Sequence, residues 1–182
     1  DFGFGFAAQK RVAELSVTRD WEKLGQVLST ILLFYLGVAV LMVLTAALGA
    51  GHVIRWLDVS AARQDEFRVV LVVFCAAVGL AFPLGIFPEI LRGQQRIRLA
   101  NNIATLFMLV RLGVIVWAVR AEWSLLAIMC AALVLSLLPD VISAIFALRH
   151  MPEVRLRPRL FSYSIMRETM AFSIFAYIPT AA

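Results

Sequence analysis

The sequence predicts an all-α fold, a polytopic bundle of transmembrane helices, and three observations carry that expectation. Apolar residues make up 62% of the 182-residue chain, against ~45–50% in soluble domains. Mean hydropathy is +0.89. Charged residues amount to only 16% and cluster between apolar runs of membrane length, the pattern of a chain solvated by lipid.

The expected helices are approximately 1–12, 27–51, 69–91, 99–119, 123–148 and 169–182, with the first and last truncated and four complete. Residues 1–8, DFGFGFAA, run into Gln9-Lys10-Arg11 as the end of a spanning helix. They carry no basic flank of the kind a signal peptide has. The chain opens on Asp1 and closes on Thr180-Ala181-Ala182 within an apolar run, which reads as a piece of a longer protein.

Residues 9–26 are polar and form the first expected loop. Val27–Gly51 follows with 25 uncharged residues, enough to span ~30 Å of hydrocarbon with some tilt. In the polar segment 52–68, Val53, Trp56 and Leu57 share a helical face, which suits a short interfacial helix. Val69–Pro88 is again uncharged but contains Gly79, Pro83, Gly85 and Pro88. A proline lacks the amide donor and crowds the preceding turn, so Pro83 and Pro88 mark a kink or hinge.

Leu99–Val119 and Trp123–Leu148 are separated by little more than Arg120-Ala121-Glu122, which predicts an antiparallel hairpin. Each buries a polar group. Arg111 lies 13 positions beyond Arg98 and nine before Arg120, roughly 20 Å and 14 Å along a helix. Its side chain cannot easily reach either interface. A charge at such depth costs about 2.5–3.5 kcal/mol on insertion scales and normally faces a bundle interior or wet cavity. Asn101, Thr105, Met108 and Arg111 fall within about a third of the helix circumference. Arg111 therefore reads as cavity-facing, with Asn101 and Thr105 beside it, against the alternative of a purely structural arginine.

In the second helix Ser136, Pro139, Asp140 and Ser143 share a face. A buried carboxylate suits proton or sodium coupling. Equally, serines on one face suit a helix-packing seam, so Asp140 and Ser136 have either a coupling or a structural role. With the turn near residues 121–122, Arg111 stands opposite about residue 132, ~12 Å from the level of Asp140. That offset predicts two separate polar sites, or partners on helices beyond this piece, rather than an ion pair.

The net charge of +5 does not point to nucleic acid, because the basic residues lie between apolar runs. Loops 9–26, 92–98 and 149–168 hold four, three and five Lys and Arg, whereas 52–68 and 120–122 hold three and one. The positive-inside rule places the first set in the cytoplasm. Cys75 and Cys130 lie within apolar runs as small hydrophobes, and His52 and His150 have no ligating neighbours at metal spacing. No catalytic constellation is present, so the expectation is a non-enzyme without cofactor.

The order of these motifs resembles a known family. DFGFGFAAQKRVAEL, then a loop bearing Lys, Asp and Glu, then VLSTILLFY resembles the second and third helices of the polysaccharide flippases. These export O-antigen, capsule or exopolysaccharide units and belong to the multidrug/oligosaccharidyl-lipid/polysaccharide exporter superfamily. EILRGQQRIRLANN, residues 89–102, resembles their loop into the fifth helix, and an arginine partway along that helix is also typical. RPRLFSYSIMRETMAFSIF, residues 157–175, is similar to their approach to the seventh helix.

The resemblance implies twelve to fourteen helices in two pseudo-symmetric bundles around a cavity. This chain would be most of the N-terminal six-helix bundle of such a transporter. It implies alternating-access translocation of undecaprenyl-diphosphate-linked oligosaccharides across the bacterial cytoplasmic membrane, with Arg111 meeting the pyrophosphate. Lipid-linked oligosaccharide, membrane lipids and a polysaccharide polymerase with glycosyltransferases are the implied partners. The resemblance assigns no role to Asp140. The alternatives are a multidrug or cation antiporter of the same superfamily, or a non-transport membrane enzyme or scaffold of envelope polysaccharide synthesis.

Overall fold

In the computed structural model of the chain, residues 4–58 and 60–177 are described, without the side chains of 62, 158 and 172–177. Among the described residues the regular structure is entirely helical. The α-helices are α1 (Phe4–Thr18), α2 (Trp21–Trp56), α3 (Gln64–Leu84), α4 (Ile86–Gly93), α5 (Ile97–Arg120), α6 (Leu125–Arg149) and α7 (Tyr163–Tyr177). Four helical stretches are long and apolar enough to cross a membrane: Trp21–Trp56, Gln64–Gly93, Ile97–Arg120 and Leu125–Arg149. The chain is a membrane protein by that measure. At 15 residues each, α1 and α7 are shorter than a span as described, and residues 178–182 of the last expected helix lie outside the described residues.

The expected loop 9–26 is a helix–turn–helix. Thr18 ends α1 and Trp21 begins α2, because two residues supply both caps. Arg19 takes the left-handed conformation at φ 56°, and the Asp20 amide donates to the Leu15 carbonyl at 3.1 Å, closing the Schellman turn. The Asp20 carboxylate then accepts from the Lys23 amide at 3.1 Å, capping α2. The polar letters here are the outer faces of two amphipathic turns, whose inner faces bury Val12, Leu15 and Leu24.

Similar chemistry closes the other tight turns. Gln95 has φ 63° and Glu122 φ 54°, with Arg96 N–H donating to Leu91 O at 2.9 Å and Trp123 N–H to Ala118 O at 3.0 Å. Ser124 caps α6 by accepting from the Ala127 amide.

The expected interfacial helix at 52–57 is not a separate element. Val53 and Trp56 form the last turn of α2, and only a 3-10 turn at Ala61–Arg63 precedes α3. At 36 residues, α2 is ~54 Å long, more than the ~30 Å of hydrocarbon a span has to cross. The kink expected at Pro83 and Pro88 is a one-residue interruption at Gly85 between α3 and α4. Gly85 stays right-handed and its amide donates to the Ala81 carbonyl at 2.8 Å, so Gln64–Gly93 continues as one span. Pro83 leaves the Gly79 carbonyl without its i+4 donor, and Pro88 does the same to Leu84, while fitting the first turn of α4 without clash. The last helix begins at Tyr163, six residues before the expected 169.

The buried core gathers at one end of the molecule. It joins Phe4, Val12, Leu24, Leu28, Ile31 and Tyr35 of α1 and α2 with Ile86, Ile90 and Leu91 of α4, and with Ala100, Ile103, Ala147 and Met151. Tyr35 packs edge-on to Phe4 and tilted against Phe34 and Phe82 at centroid distances of 5.5–6.0 Å, aromatic spacing that adds to simple burial. Further along, α2 meets α3 through small residues. Ala39, Ala46 and Ala50 are buried, and a Cβ on Gly79 would stand 3.1 Å from Ala39 Cα. Close backbone approach of this kind holds helices together in lipid, where apolar burial gives no driving force. The remaining helix faces expose Leu44, Leu48, Leu106, Leu109 and Val134.

Candidate functional site

A cleft of about 260 Å³ lies where α4, α5 and α6 meet. Helical spacing explains its walls. On α5, Ala100, Ala104, Phe107, Met108 and Arg111 recur at positions i, i+4, i+7, i+8 and i+11, one face of a 3.6-residue helix. The two alanines leave the space. On α6, Leu135, Ser136, Pro139, Asp140 and Ser143 form the facing stripe, and Pro88 and Arg92 close one end from α4.

Arg111 and Asp140 therefore belong to one cleft, not two. No ion pair joins them among the described residues. The antiparallel register places Arg111 one level beyond Leu135 and Asp140 near the level of Ala104, so a single cleft holds the two charges at different depths. Ala100 to Arg111 alone covers ~16 Å of axis, longer than the offset that argued for separate sites.

Arg92 completes a charge sequence along the cleft, with Arg92 at one end, Asp140 between and Arg111 at the other. Its guanidinium pairs with Glu89 one turn earlier on α4. Ser136 donates to the Leu133 carbonyl at 2.7 Å, leaving its oxygen lone pairs free to accept. Pro139 has no amide, so the Leu135 carbonyl, on a lining residue, lacks its helical donor.

Asn101 and Thr105 stand outside this arrangement. Arg111 and Met108 are exposed just as Asn101 and Thr105 are, but neither Asn101 nor Thr105 lines the cleft. They lie on the Met108 side of Arg111, and the open face of α5 turns them away from α6. Of the expected hinge prolines, Pro88 lines the cleft, whereas Pro83 is buried on α3 outside it. Arg92 escaped the sequence reading because it sits in the basic run 92–98. The signal was present in its i+3 spacing from Glu89 and i+4 spacing from Pro88. Cys75 and Cys130 are free and half-buried.

The Arg111 and Arg92 guanidiniums can each take two anionic oxygens in a planar fork, Arg92 in exchange for its pairing with Glu89. Asp140 between them repels an anion while ionised and ceases to do so when protonated or cation-bound. No protein-family model, curated protein or solved structure matches the chain.

Proposed function

We propose that the chain forms part of a flippase that moves undecaprenyl-diphosphate-linked oligosaccharides across the bacterial cytoplasmic membrane by alternating access. The single observation that carries this reading is the cleft between α4, α5 and α6, which gathers Arg92, Arg111, Asp140 and Ser136 within an otherwise apolar wall. A diphosphate ester needs cationic forks inside a low-dielectric passage, where a bare anion would be prohibitive. Arg111 and Arg92 are the proposed anion ligands. Asp140 is the proposed coupling group, taking a proton or sodium ion as the anion leaves. The one-residue interruption at Gly85, between Pro83 and Pro88, adjoins the cleft through α4 and is the proposed hinge. The resemblance of residues 1–35, 89–102 and 157–175 to polysaccharide flippases supports the same substrate class.

The test is export. Arg111→Ala in the full-length protein abolishes surface polysaccharide while membrane insertion and abundance stay normal. Full export by that variant overturns the assignment. Asp140 is also the feature a cation antiporter would use, and resistance of expressing cells to cationic dyes, lost in Asp140→Asn, would replace the flippase reading with that one.

A further inference from the structure

The connection between α6 and α7 lies along α2 and is fastened there at three points. A Cβ on Gly25 would stand 2.9 Å from the Arg155 carbonyl oxygen, so only glycine lets the strap approach at that level. One turn on, the buried Ser29 hydroxyl accepts from the Arg157 amide at 3.0 Å. Beside it the buried Thr30 hydroxyl accepts from the Ser162 amide at 3.2 Å. Met151 and Val154 anchor the start of the strap in the core.

These fastenings put Arg157 on a boundary. To one side is a polar hollow lined by Trp21, Glu22, Glu153, Arg155 and Leu160 together with Arg157 itself. To the other is an apolar groove formed by Leu32, Leu33 and Leu36 of α2 and Leu156 of the strap, with Ser29 and Arg157 at its mouth. Ser29, Leu32, Leu33 and Leu36 follow i, i+3, i+4 and i+7, so the groove runs straight down α2 toward the middle of the span. Leu36 is exposed. Neither Arg155 nor Arg157 forms an ion pair among the described residues, although Glu22 and Glu153 share the hollow.

We infer that this junction is a binding site for an anionic phospholipid, with the phosphate on the Arg157 and Arg155 guanidiniums and an acyl chain in the Leu32–Leu33–Leu36–Leu156 groove. Polar hollow, cation and apolar channel come in the order of a phospholipid's own parts. The strap also carries Arg159 and lies on the side that the distribution of Lys and Arg assigns to the cytoplasm, where basic pockets between helices take anionic headgroups. With Arg159 the three guanidiniums of the strap outnumber the Glu22 and Glu153 carboxylates of the hollow, so an anionic headgroup is favoured over a zwitterionic one. The inference does not depend on what the cleft between α5 and α6 transports.

Native mass spectrometry of the full-length protein in detergent, titrated with phosphatidylglycerol or phosphatidylcholine, tests it. Wild type retains phosphatidylglycerol in preference. Arg157→Gln, which keeps the backbone amide that Ser29 accepts, lowers that preference about fivefold, the effect of one basic residue at a membrane surface. Arg157→Lys keeps the preference, and so does Arg63→Gln in the loop at the other end of α2. Equal retention of the two lipids by wild type would overturn the proposal. So would an equal loss in Arg63→Gln, which would mean diffuse charge, or displacement of phosphatidylglycerol by equimolar glycerol phosphate, which would mean that the leucine groove contributes nothing.

Discussion

Gly93 packs directly on Gln9: a Cβ at Gly93 would lie 2.7 Å from the Gln9 carbonyl oxygen and 2.8 Å from Val12 Cβ. This contact seats α4 on α1 and, through α4, fixes one wall of the cleft. Gly93→Leu therefore forces the two helices apart. The expected cost is about 1–3 kcal/mol, the range for overfilling a packed site, read as a lower midpoint of thermal unfolding in detergent. Gly113, with nothing within 4 Å of its Cβ position, is the matched control, and Gly113→Leu leaves that midpoint nearly unchanged.

The two-residue turn at Arg19 and Asp20 makes opposite predictions at adjacent positions. Asp20→Ala removes the acceptor of the Lys23 amide and costs about 1 kcal/mol, as lost N-caps do. Arg19→Gly relieves a left-handed residue at φ 56° and gains about 1 kcal/mol, the strain of that conformation for a side chain. Unfolding midpoints of the two single variants, moving down and up respectively, check the cap and the turn together.

The cleft separates residues that the helical wheel alone grouped. Arg92→Ala and Arg111→Ala each lower translocation of a fluorescent lipid diphosphate in proteoliposomes by about tenfold or more, the loss of a charged hydrogen-bonding partner. Asn101→Ala and Thr105→Ala leave the rate unchanged, because both side chains stand outside the cleft. Equal loss at Thr105 and Arg111 would move the binding face of α5 away from α6.

Thr30 and Ser29 hold the strap by their buried hydroxyls. Thr30→Val leaves the Ser162 amide without its acceptor, an orphaned donor worth about 1–3 kcal/mol where it is shielded from water. Limited trypsin digestion then cuts faster after Arg155 and Arg159 in Thr30→Val and Ser29→Ala than in wild type, while the Arg157–Pro158 bond resists trypsin in all three. Unchanged cleavage would show that Gly25 and the buried Met151 and Val154 hold the strap by themselves.

Much of the architecture was legible in composition and periodicity. α5 begins two residues before and ends one residue after the expected 99–119, and α6 lies within two residues of 123–148 at either end. Uncharged runs bounded by charge are sharp signals when lipid is the solvent. The polar segments were harder to read. Residues 9–26 and 52–57 carry charges yet continue helices, since charge tells which face meets water and not whether the backbone hydrogen bonds persist. The signal that could have marked the first turn was Asp20 three residues before Lys23, with hydrophobic Leu15 and Leu24 on either side.

By itself the sequence determined an all-helical membrane protein, a hairpin at 99–148 carrying Arg111 and Asp140, and an interruption near Pro83 and Pro88, because desolvation and proline chemistry act locally on each segment. Only the tertiary structure decided that Arg111 and Asp140 line one cleft, that Arg92 joins them, and that Asn101 and Thr105 do not. A helical stripe fixes relative angles on one helix, but which arc faces a neighbour depends on close contacts such as Gly93 on Gln9. The place of each charge along its helix was written in the sequence, and its company was set by how the helices pack.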